Sequence, residues 1–148
     1  MNKEHTKILL ADDDEDDRMF FTDAFKEVKI KTKVDVVKDG HELMHFLKHP
    51  NNDLPDVLFL DLNMPCKTGI ECLAEIKSDE RLKDIAIVIY STSASEKDIE
   101  DTFVKGANVY LQKPSDFAVL KKLLSEVIIM NWQYQTSGLN RDNFLLSL

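Results

Sequence analysis

The chain has 148 residues, a length that predicts one domain built around a single hydrophobic core. Its 43% hydrophobic residues exclude a disordered chain, and its net charge of -8 argues against a nucleic-acid-binding surface. No apolar run is long enough for membrane insertion and no export signal is present, so we expect a cytoplasmic protein. Two cysteines, Cys66 and Cys72, are too few for a disulfide framework.

Five short apolar runs predict strands that are buried on both faces of a sheet. In chain order they are Lys7–Ala11, Val34–Val37, Asp56–Asp61, Ile85–Tyr90 and Val109–Leu111. Each run is followed by apolar residues at helical spacing, as in Phe21, Ala24, Phe25 and Val28. Five strand–helix repeats with short connections predict an α/β fold: a doubly wound parallel sheet with helices on both faces.

Residues typical of helix ends support these boundaries. Asp39 and Gly40 indicate a turn before the second helix. Ser95 and Asp98 have the spacing of a capping box, and Gly106 stands where a helix-ending glycine is expected. The acidic residues of the run 14–17 suit the positive end of a helix dipole, which gives them a structural explanation.

Polar side chains that could take part in a reaction follow four of the five predicted strands. They are Asp12 and Asp13 after the first, Asp61 after the third, Ser91 and Thr92 at the fourth, and Lys113 after the fifth. The carboxyl ends of parallel strands meet at one edge of the sheet, so these side chains are expected to converge there. Taken alone, Asp61 fits two interpretations equally well: a reacting carboxylate or the cap of the next helix.

Three carboxylates at one edge would repel one another, and a hard divalent cation such as Mg²⁺ would relieve that repulsion. An aspartate beside such a metal can attack phosphorus and form an aspartyl phosphate. Lys113 would supply a positive charge and Ser91 a hydroxyl for the phosphoryl oxygens. These residue types together favour phosphoryl transfer.

At this point the chain resembles the response-regulator receiver domains of two-component signalling, from about Thr6 to Met130. The motifs occur in the family's order: Asp12 with Asp13, Phe59–Pro65 around Asp61, Gly69, Ser91, Tyr110, and Lys113–Pro114. The resemblance implies a flavodoxin-like fold, in which five parallel strands have the order 2-1-3-4-5.

The resemblance also implies a role for each matching residue. Asp61 would accept a phosphoryl group from a sensor histidine kinase or a phosphotransfer protein. Asp12, Asp13, Asp61 and the backbone carbonyl of Asn63 would hold Mg²⁺, with Mn²⁺ as an alternative. Lys113 would contact the phosphoryl group.

Three further implications concern the switch itself. Ser91 would move toward the phosphoryl group and Tyr110 would follow inward; the adjacent Thr92 is a second candidate for the switch hydroxyl. The peptide bond before Pro114 is expected to be cis, as the family usually has it. Asn63 and Ser93 provide no obvious base for an attacking water, so autodephosphorylation is expected to be slow.

A narrower resemblance concerns the receiver subgroup paired with bacterial phytochrome-type kinases. It depends on the loop His49–Pro55, the phrase Glu75–Asp79 and the phrase Tyr90–Ser93. Such receivers are often single-domain dimers. The sequence predicts a receiver over residues 6–130 and a tail over 131–148 without an output domain. Surplus apolar residues at 127–132 favour a homodimer through the last helix and the tail.

Other functions compete with a phospho-accepting switch, which would not be an enzyme in the ordinary sense. A phosphohydrolase with an Asp61 nucleophile would need a second aspartate where Asn63 stands. A flavin-binding domain would need a phosphate loop where this chain has six acidic residues. A receiver that serves only as a phospho-independent scaffold is a further alternative. For Cys66 and for His41, His45 and His49, an exposed position without a function is the favoured interpretation.

Overall fold

The computed structural model of the chain describes residues 5–134 and 145–146, with side chains as far as Ile129. The strands are β1 (Thr6–Ala11), β2 (Thr32–Val37), β3 (Val57–Leu60), β4 (Ala86–Ser91), β5 (Val109–Gln112) and β6 (Leu145–Leu146). The helices are α1 (Glu15–Glu27), α2 (Gly40–Lys48), α3 (Gly69–Ser78), α4 (Glu96–Val104) and α5 (Phe117–Tyr134). Strands and helices alternate through α5, as the sequence predicts.

All strands are parallel and lie in the order β2-β1-β3-β4-β5-β6. The predicted α/β fold with the strand order 2-1-3-4-5 is therefore confirmed. The structure adds β6, in which Leu145 pairs with Tyr110 and Leu146 with Leu111 at the outer edge of β5. The other residues of the predicted tail beyond 134, at 135–144 and 147–148, lie outside the described residues.

The sheet separates two hydrophobic clusters. Leu9 of β1 faces the cluster that includes Leu43 of α2 and Leu73 of α3. Leu10, its neighbour in sequence, faces the opposite cluster, which includes Phe21 of α1. Since successive side chains of a strand point to opposite faces, a strand covered on both sides must be apolar throughout. This explains the unbroken apolar runs in the sequence.

Local capping chemistry defines the helix ends. The Asp14 carboxylate accepts a hydrogen bond from the backbone N–H of Asp17 and so caps the start of α1. Ser95 likewise accepts from the N–H of Asp98 at the start of α4, but the Asp98 carboxylate accepts from the Ser93 hydroxyl. Of the two hydrogen bonds that define a capping box, this pair therefore forms only the one from the Asp98 N–H to the Ser95 side chain. Gly106, with φ of 97°, follows α4 as expected.

Within the part of the chain that the structure describes, no helix has the length and apolar character needed to cross a bilayer. On α5, Val127 and Ile128 are buried against the sheet, whereas Ile129 is 53% exposed. One residue of the apolar excess predicted for this helix therefore lies on its outer surface.

Candidate functional site

The carboxyl ends of β1 and β3 lie side by side at the centre of the sheet. Ala11 pairs with Leu60, and the N–H of Asp61 donates to the Ala11 carbonyl at 3.0 Å. This register places Asp12 and Asp61 next to each other. Carboxylate oxygens of Asp12, Asp13 and Asp61 all lie within 4.8 Å of one another. The structure thus brings together the three carboxylates that the sequence predicts to converge.

Lys113 reaches this cluster from the end of β5. Its Nζ lies 2.8 Å from Asp12 Oδ2, 2.8 Å from Asp17 Oδ2 and 3.5 Å from Asp61 Oδ2. Its side chain is 8% exposed, and the Nζ lies 5.3 Å from the centre of the Tyr90 ring. One buried cation therefore serves several carboxylates, and the site keeps an excess of negative charge.

Burial and charge act in opposite directions on Asp61. Burial raises its pKa to about 6, and the nearby charges of Asp12 and Asp13 act in the same direction. The charge of Lys113 and a hydrogen bond from the backbone N–H of Asn63, at 3.3 Å, oppose the shift. The carboxylate is thus desolvated and still mostly ionised near neutral pH, which suits a nucleophile.

The pKa of Lys113 moves upward. Burial alone would lower it, but the contacts with Asp12 and Asp17 and the charge of Asp61 outweigh burial. Lys113 therefore remains a full positive charge in the site. A fixed cation of this kind stabilises an anion placed beside it.

The α4 side of the sheet provides the hydroxyl groups. Ser91 is fully buried at the end of β4, and its carbonyl accepts from the N–H of Lys113 at 2.8 Å. Thr92 is exposed, and its carbonyl accepts from the side-chain amide of Gln112. Tyr110 is fully buried and donates its hydroxyl to the carbonyl of Ser93 at 2.7 Å. The Tyr110 ring is thus inward in this structure.

The cap of α3 decides between the two interpretations of Asp61. Thr68 accepts from the N–H of Glu71, and the Glu71 carboxylate accepts from the N–H of Thr68, which forms a complete capping box. Asp61 does not cap this helix. Its carbonyl instead lies against Gly69, where a Cβ would approach the oxygen to 2.2 Å. The cap interpretation is wrong because α3 begins at Gly69, eight residues after Asp61, and Thr68 is its N-cap.

The peptide bond between Lys113 and Pro114 differs from the expectation. No cis peptide bond occurs in residues 5–134, so this bond is trans and the predicted cis-proline is wrong in this structure. The trans form is favoured by about 0.5–1 kcal/mol in X–Pro bonds. In this conformation the Lys113 side chain makes its contacts with Asp12 and Asp17.

The acidic cluster has the chemistry of a site for a hard divalent cation. Asp12 is buried, and its Oδ2 lies 2.8 Å from the Lys113 ammonium, which is its counter-charge. A buried carboxylate whose oxygens lie close to those of two other carboxylates suits Mg²⁺, which prefers oxygen ligands and few protein groups. Asn63 is exposed in the loop after Asp61.

Sequence reasoning missed two neighbours of Lys113. The first is Asp17, for which the helix dipole gave a structural explanation, but whose carboxylate accepts a hydrogen bond from the Lys113 ammonium. The second is Tyr90, whose ring lies against the Lys113 ammonium. The excess of acidic residues over the single lysine predicted at this edge is the sequence feature that could have indicated the contact between Asp17 and Lys113. For Tyr90, position in an apolar strand indicated only burial.

The fold and this site define a doubly wound α/β protein with an acidic, lysine-containing cluster at the carboxyl edge of its sheet. Comparison with known families then identifies it: the chain belongs to the response regulator receiver domain family, whose model matches residues 8–125. Receiver domains are signalling switches that histidine kinases phosphorylate, rather than ordinary enzymes, and they bind Mg²⁺ at an acidic pocket.

Individual relatives agree with this assignment. The chain is 33% identical to the response regulator Rcp1 of Synechocystis over 124 residues, which are 81% of this chain and 84% of Rcp1. The crystal structure of the phosphorylated cyanobacterial phytochrome response regulator RcpA is 34% identical, with a TM-score of 0.79, over 90% of this chain and 97% of RcpA. The Mn²⁺-bound form of Rcp1 is 32% identical, with a TM-score of 0.75, over 91% and 99%.

Proposed function

We propose that this protein is a response regulator that accepts a phosphoryl group on Asp61 from a histidine kinase or a phosphotransfer protein. The observation that supports this most directly is the surroundings of Asp61. Its carboxylate is desolvated beside Asp12 and Asp13, and the Lys113 ammonium lies 3.5 Å away. A nucleophile and an anion-stabilising cation thus share one edge of the sheet.

The transfer follows from these positions. The Asp61 carboxylate attacks phosphorus, an O–P bond forms, the P–N bond to the donor histidine breaks, and the histidine keeps the electron pair and takes up a proton. Asp12, Asp13, Asp61 and the carbonyl of Asn63 would hold Mg²⁺, which neutralises phosphoryl charge when bound. Mn²⁺ is an alternative metal, supported by the Mn²⁺-bound structure of Rcp1.

The switch couples the phosphoryl group to the α4 side of the sheet. Lys113 contacts the phosphoryl oxygens, and Ser91 provides the hydroxyl that binds them. Burial of Ser91 at the strand end, in contrast to the exposed Thr92, supports Ser91 over its neighbour. Tyr110 links this end of β5 to the loop before α4 through Ser93. Phosphorylation then shifts the population of conformations of a surface made by α4, β5 and α5.

Loss of the phosphoryl group is slow in this proposal. Asn63 has no basic side chain, and the Ser93 hydroxyl donates to Asp98 rather than facing the site as a free group. Neither residue therefore activates an attacking water. Decay of the phosphorylated protein over time, followed by intact mass, measures this directly.

Two features support more specific partners. RcpA is described as a phytochrome response regulator, and we extend this to a bacterial phytochrome-type kinase as the phosphoryl donor here.

The exposed Ile129 on α5 supports a homodimer through this helix and the tail. Sedimentation at high protein concentration, with and without a phosphoryl analogue, tests the dimer; a monomer under both conditions contradicts it.

The deciding experiment is intact mass spectrometry after incubation with acetyl phosphate. Wild type is expected to gain one phosphoryl mass only with Mg²⁺, and Asp61→Asn is expected to gain none. Asp53→Asn, which removes an exposed carboxylate paired with Lys7 near the amino-terminal end of β1, is the matched control and should behave as wild type. Release of inorganic phosphate without a lasting adduct would favour the phosphohydrolase. No adduct in a folded wild type that binds Mg²⁺ would favour the scaffold.

A further inference from the structure

Asp17 provides a carboxylate that belongs to the site but not to the metal-type cluster. It lies in the first turn of α1, where the Asp14 cap accepts a hydrogen bond from its backbone N–H. Its side chain accepts a hydrogen bond from Lys113 at 2.8 Å. The group of oxygens suited to a metal comprises Asp12, Asp13 and Asp61 and does not include it. The side chain is 36% exposed, whereas Lys113 is 8% exposed.

The contacts of Lys113 are unequal. Its Nζ lies 2.8 Å from both Asp12 and Asp17 but 3.5 Å from Asp61. The Tyr90 ring lies on another side of the ammonium. The two shorter contacts come from Asp12, just after β1, and from Asp17, in the first turn of α1. The ammonium is therefore held toward α1 and away from the residue that would receive the phosphoryl group.

The two short contacts also differ in what a metal would do to them. Asp12 would share its oxygens with a bound cation, which would weaken the attraction between its carboxylate and the Lys113 ammonium. Asp17 lies outside that group of ligands and would keep its charge available to Lys113. Of the three carboxylates around the ammonium, Asp17 is thus the one that remains a competitor when the other two are engaged.

We propose that Asp17 is a positioning residue: it is the counter-ion that holds Lys113 in the unphosphorylated state and competes with the phosphoryl group for it. This inference depends on the proposed role of Asp61 and Lys113. Its consequence is that Asp17 lowers the affinity of the site for a phosphoryl-like anion, because the lysine must leave one anion to contact another. Neutralising Asp17 then makes the activated state easier to reach.

The test compares Asp17→Asn with Asp16→Asn. Asp16 is an exposed neighbour in the same helical turn, so its variant removes the same charge without removing the Lys113 contact. Binding of beryllofluoride in saturating Mg²⁺ is measured by NMR titration or calorimetry. Asp17→Asn should bind it roughly two- to fivefold more tightly than Asp16→Asn, the range expected for a partly exposed ion pair. The Mg²⁺ affinities of the two variants should agree.

A second measurement needs neither metal nor phosphoryl analogue. Urea unfolding in chelator gives a double-mutant cycle for Asp17→Asn and Lys113→Met. The effect of Asp17→Asn should be smaller in the Lys113→Met background than in wild type, because the contact is already lost. Asp17→Glu keeps the carboxylate, so its beryllofluoride affinity should return toward the wild-type value. A general structural role of Asp17 would not require such a rescue.

The outcomes separate this inference from the proposed function. If wild type does not bind beryllofluoride with Mg²⁺, the proposed function fails and the inference fails with it. If wild type binds but Asp17→Asn and Asp16→Asn bind equally, only the inference is overturned. Weaker binding by Asp17→Asn also overturns it, since Asp17 would then hold Lys113 in the productive position. If the cycle shows no coupling between Asp17 and Lys113, the ion pair on which the inference is based does not contribute, and the inference is overturned.

Discussion

Gly69 lies so close to Asp61 that a Cβ on the glycine would stand 2.2 Å from the Asp61 carbonyl oxygen. The backbone of Gly69 also donates to the carbonyl of Leu62 at 2.9 Å. The first residue of α3 is therefore packed directly on the backbone that presents the proposed phosphoacceptor. A side chain at position 69 would have to displace either the helix or the end of β3.

Gly69→Ala is accordingly expected to lower the free energy of unfolding by roughly 1–3 kcal/mol, the usual cost of overpacking a close contact. Urea unfolding measures this change. Ala74→Ser, on the exposed face of α3, is the control and should change stability by less than about 0.5 kcal/mol. An unaltered unfolding free energy in Gly69→Ala would contradict the close packing.

Asp61 makes stability depend on pH in the absence of metal. The unfolded chain releases this proton near pKa 3.8, whereas burial raises the pKa in the folded protein to about 6. Between these values the folded state binds more protons, so stability from this group is present below about pH 4 and is lost as pH rises through about 6. Because Asp61 is buried, the difference between these two pKa values corresponds to a loss of about 3 kcal/mol.

Asp61→Asn, which cannot ionise, isolates this effect. In chelator, its stability advantage over wild type should grow as pH rises from about 4 to about 7. Urea unfolding of both proteins across this range measures the difference. A stability difference that stays constant with pH would show that Asp61 does not titrate in this interval.

Mg²⁺ should stabilise the folded protein because it relieves the repulsion among the clustered carboxylates. At about 100 times its dissociation constant it adds about 2.7 kcal/mol to the free energy of unfolding. Asp13→Asn, which removes one carboxylate of the cluster, should weaken Mg²⁺ affinity roughly tenfold. The concentration dependence of the melting temperature measures both effects.

The exposed Asp16 again provides the control for that experiment. Asp16→Asn removes one negative charge near the site without removing a residue of the metal-type cluster. If it weakened Mg²⁺ binding as much as Asp13→Asn, the effect would come from overall charge and not from ligation.

The Tyr110 hydroxyl should hold the loop before α4. Its hydrogen bond to the Ser93 carbonyl is 2.7 Å long, and loss of such a bond costs about 1 kcal/mol. Tyr110→Phe is expected to lower stability by about this amount and to accelerate amide exchange over residues 93–95. Unchanged exchange in this loop would mean that β5 does not fix it through Tyr110.

Sequence reasoning succeeded where one local pattern has one physical cause. The apolar runs at Lys7–Ala11 and Ile85–Tyr90 are unbroken because both faces of the sheet are covered, and both are strands. Gly106 ends α4 with positive φ, which a glycine adopts at little cost. Such features depend on neighbours in sequence, so they can be predicted without knowing the fold.

The predictions that failed or stayed open depended on geometry that the local sequence pattern does not determine. The bond before Pro114 is trans, and a proline alone allows both isomers. Asp61 had two interpretations until Thr68 was seen to cap α3. Leu145 and Leu146 add to the edge of β5, and no local pattern distinguishes such an added strand from a free terminus.

The sequence by itself therefore determined the α/β class, the strand positions, the convergence of the acidic residues on one edge and the family. Only the tertiary structure decided which partners Lys113 has. Asp17 is 96 residues away in the chain, and its charge serves equally well at a helix N-terminus or in an ion pair. The choice depends on where α1 places the carboxylate relative to the end of β5, and that distance exists only once the sheet is assembled.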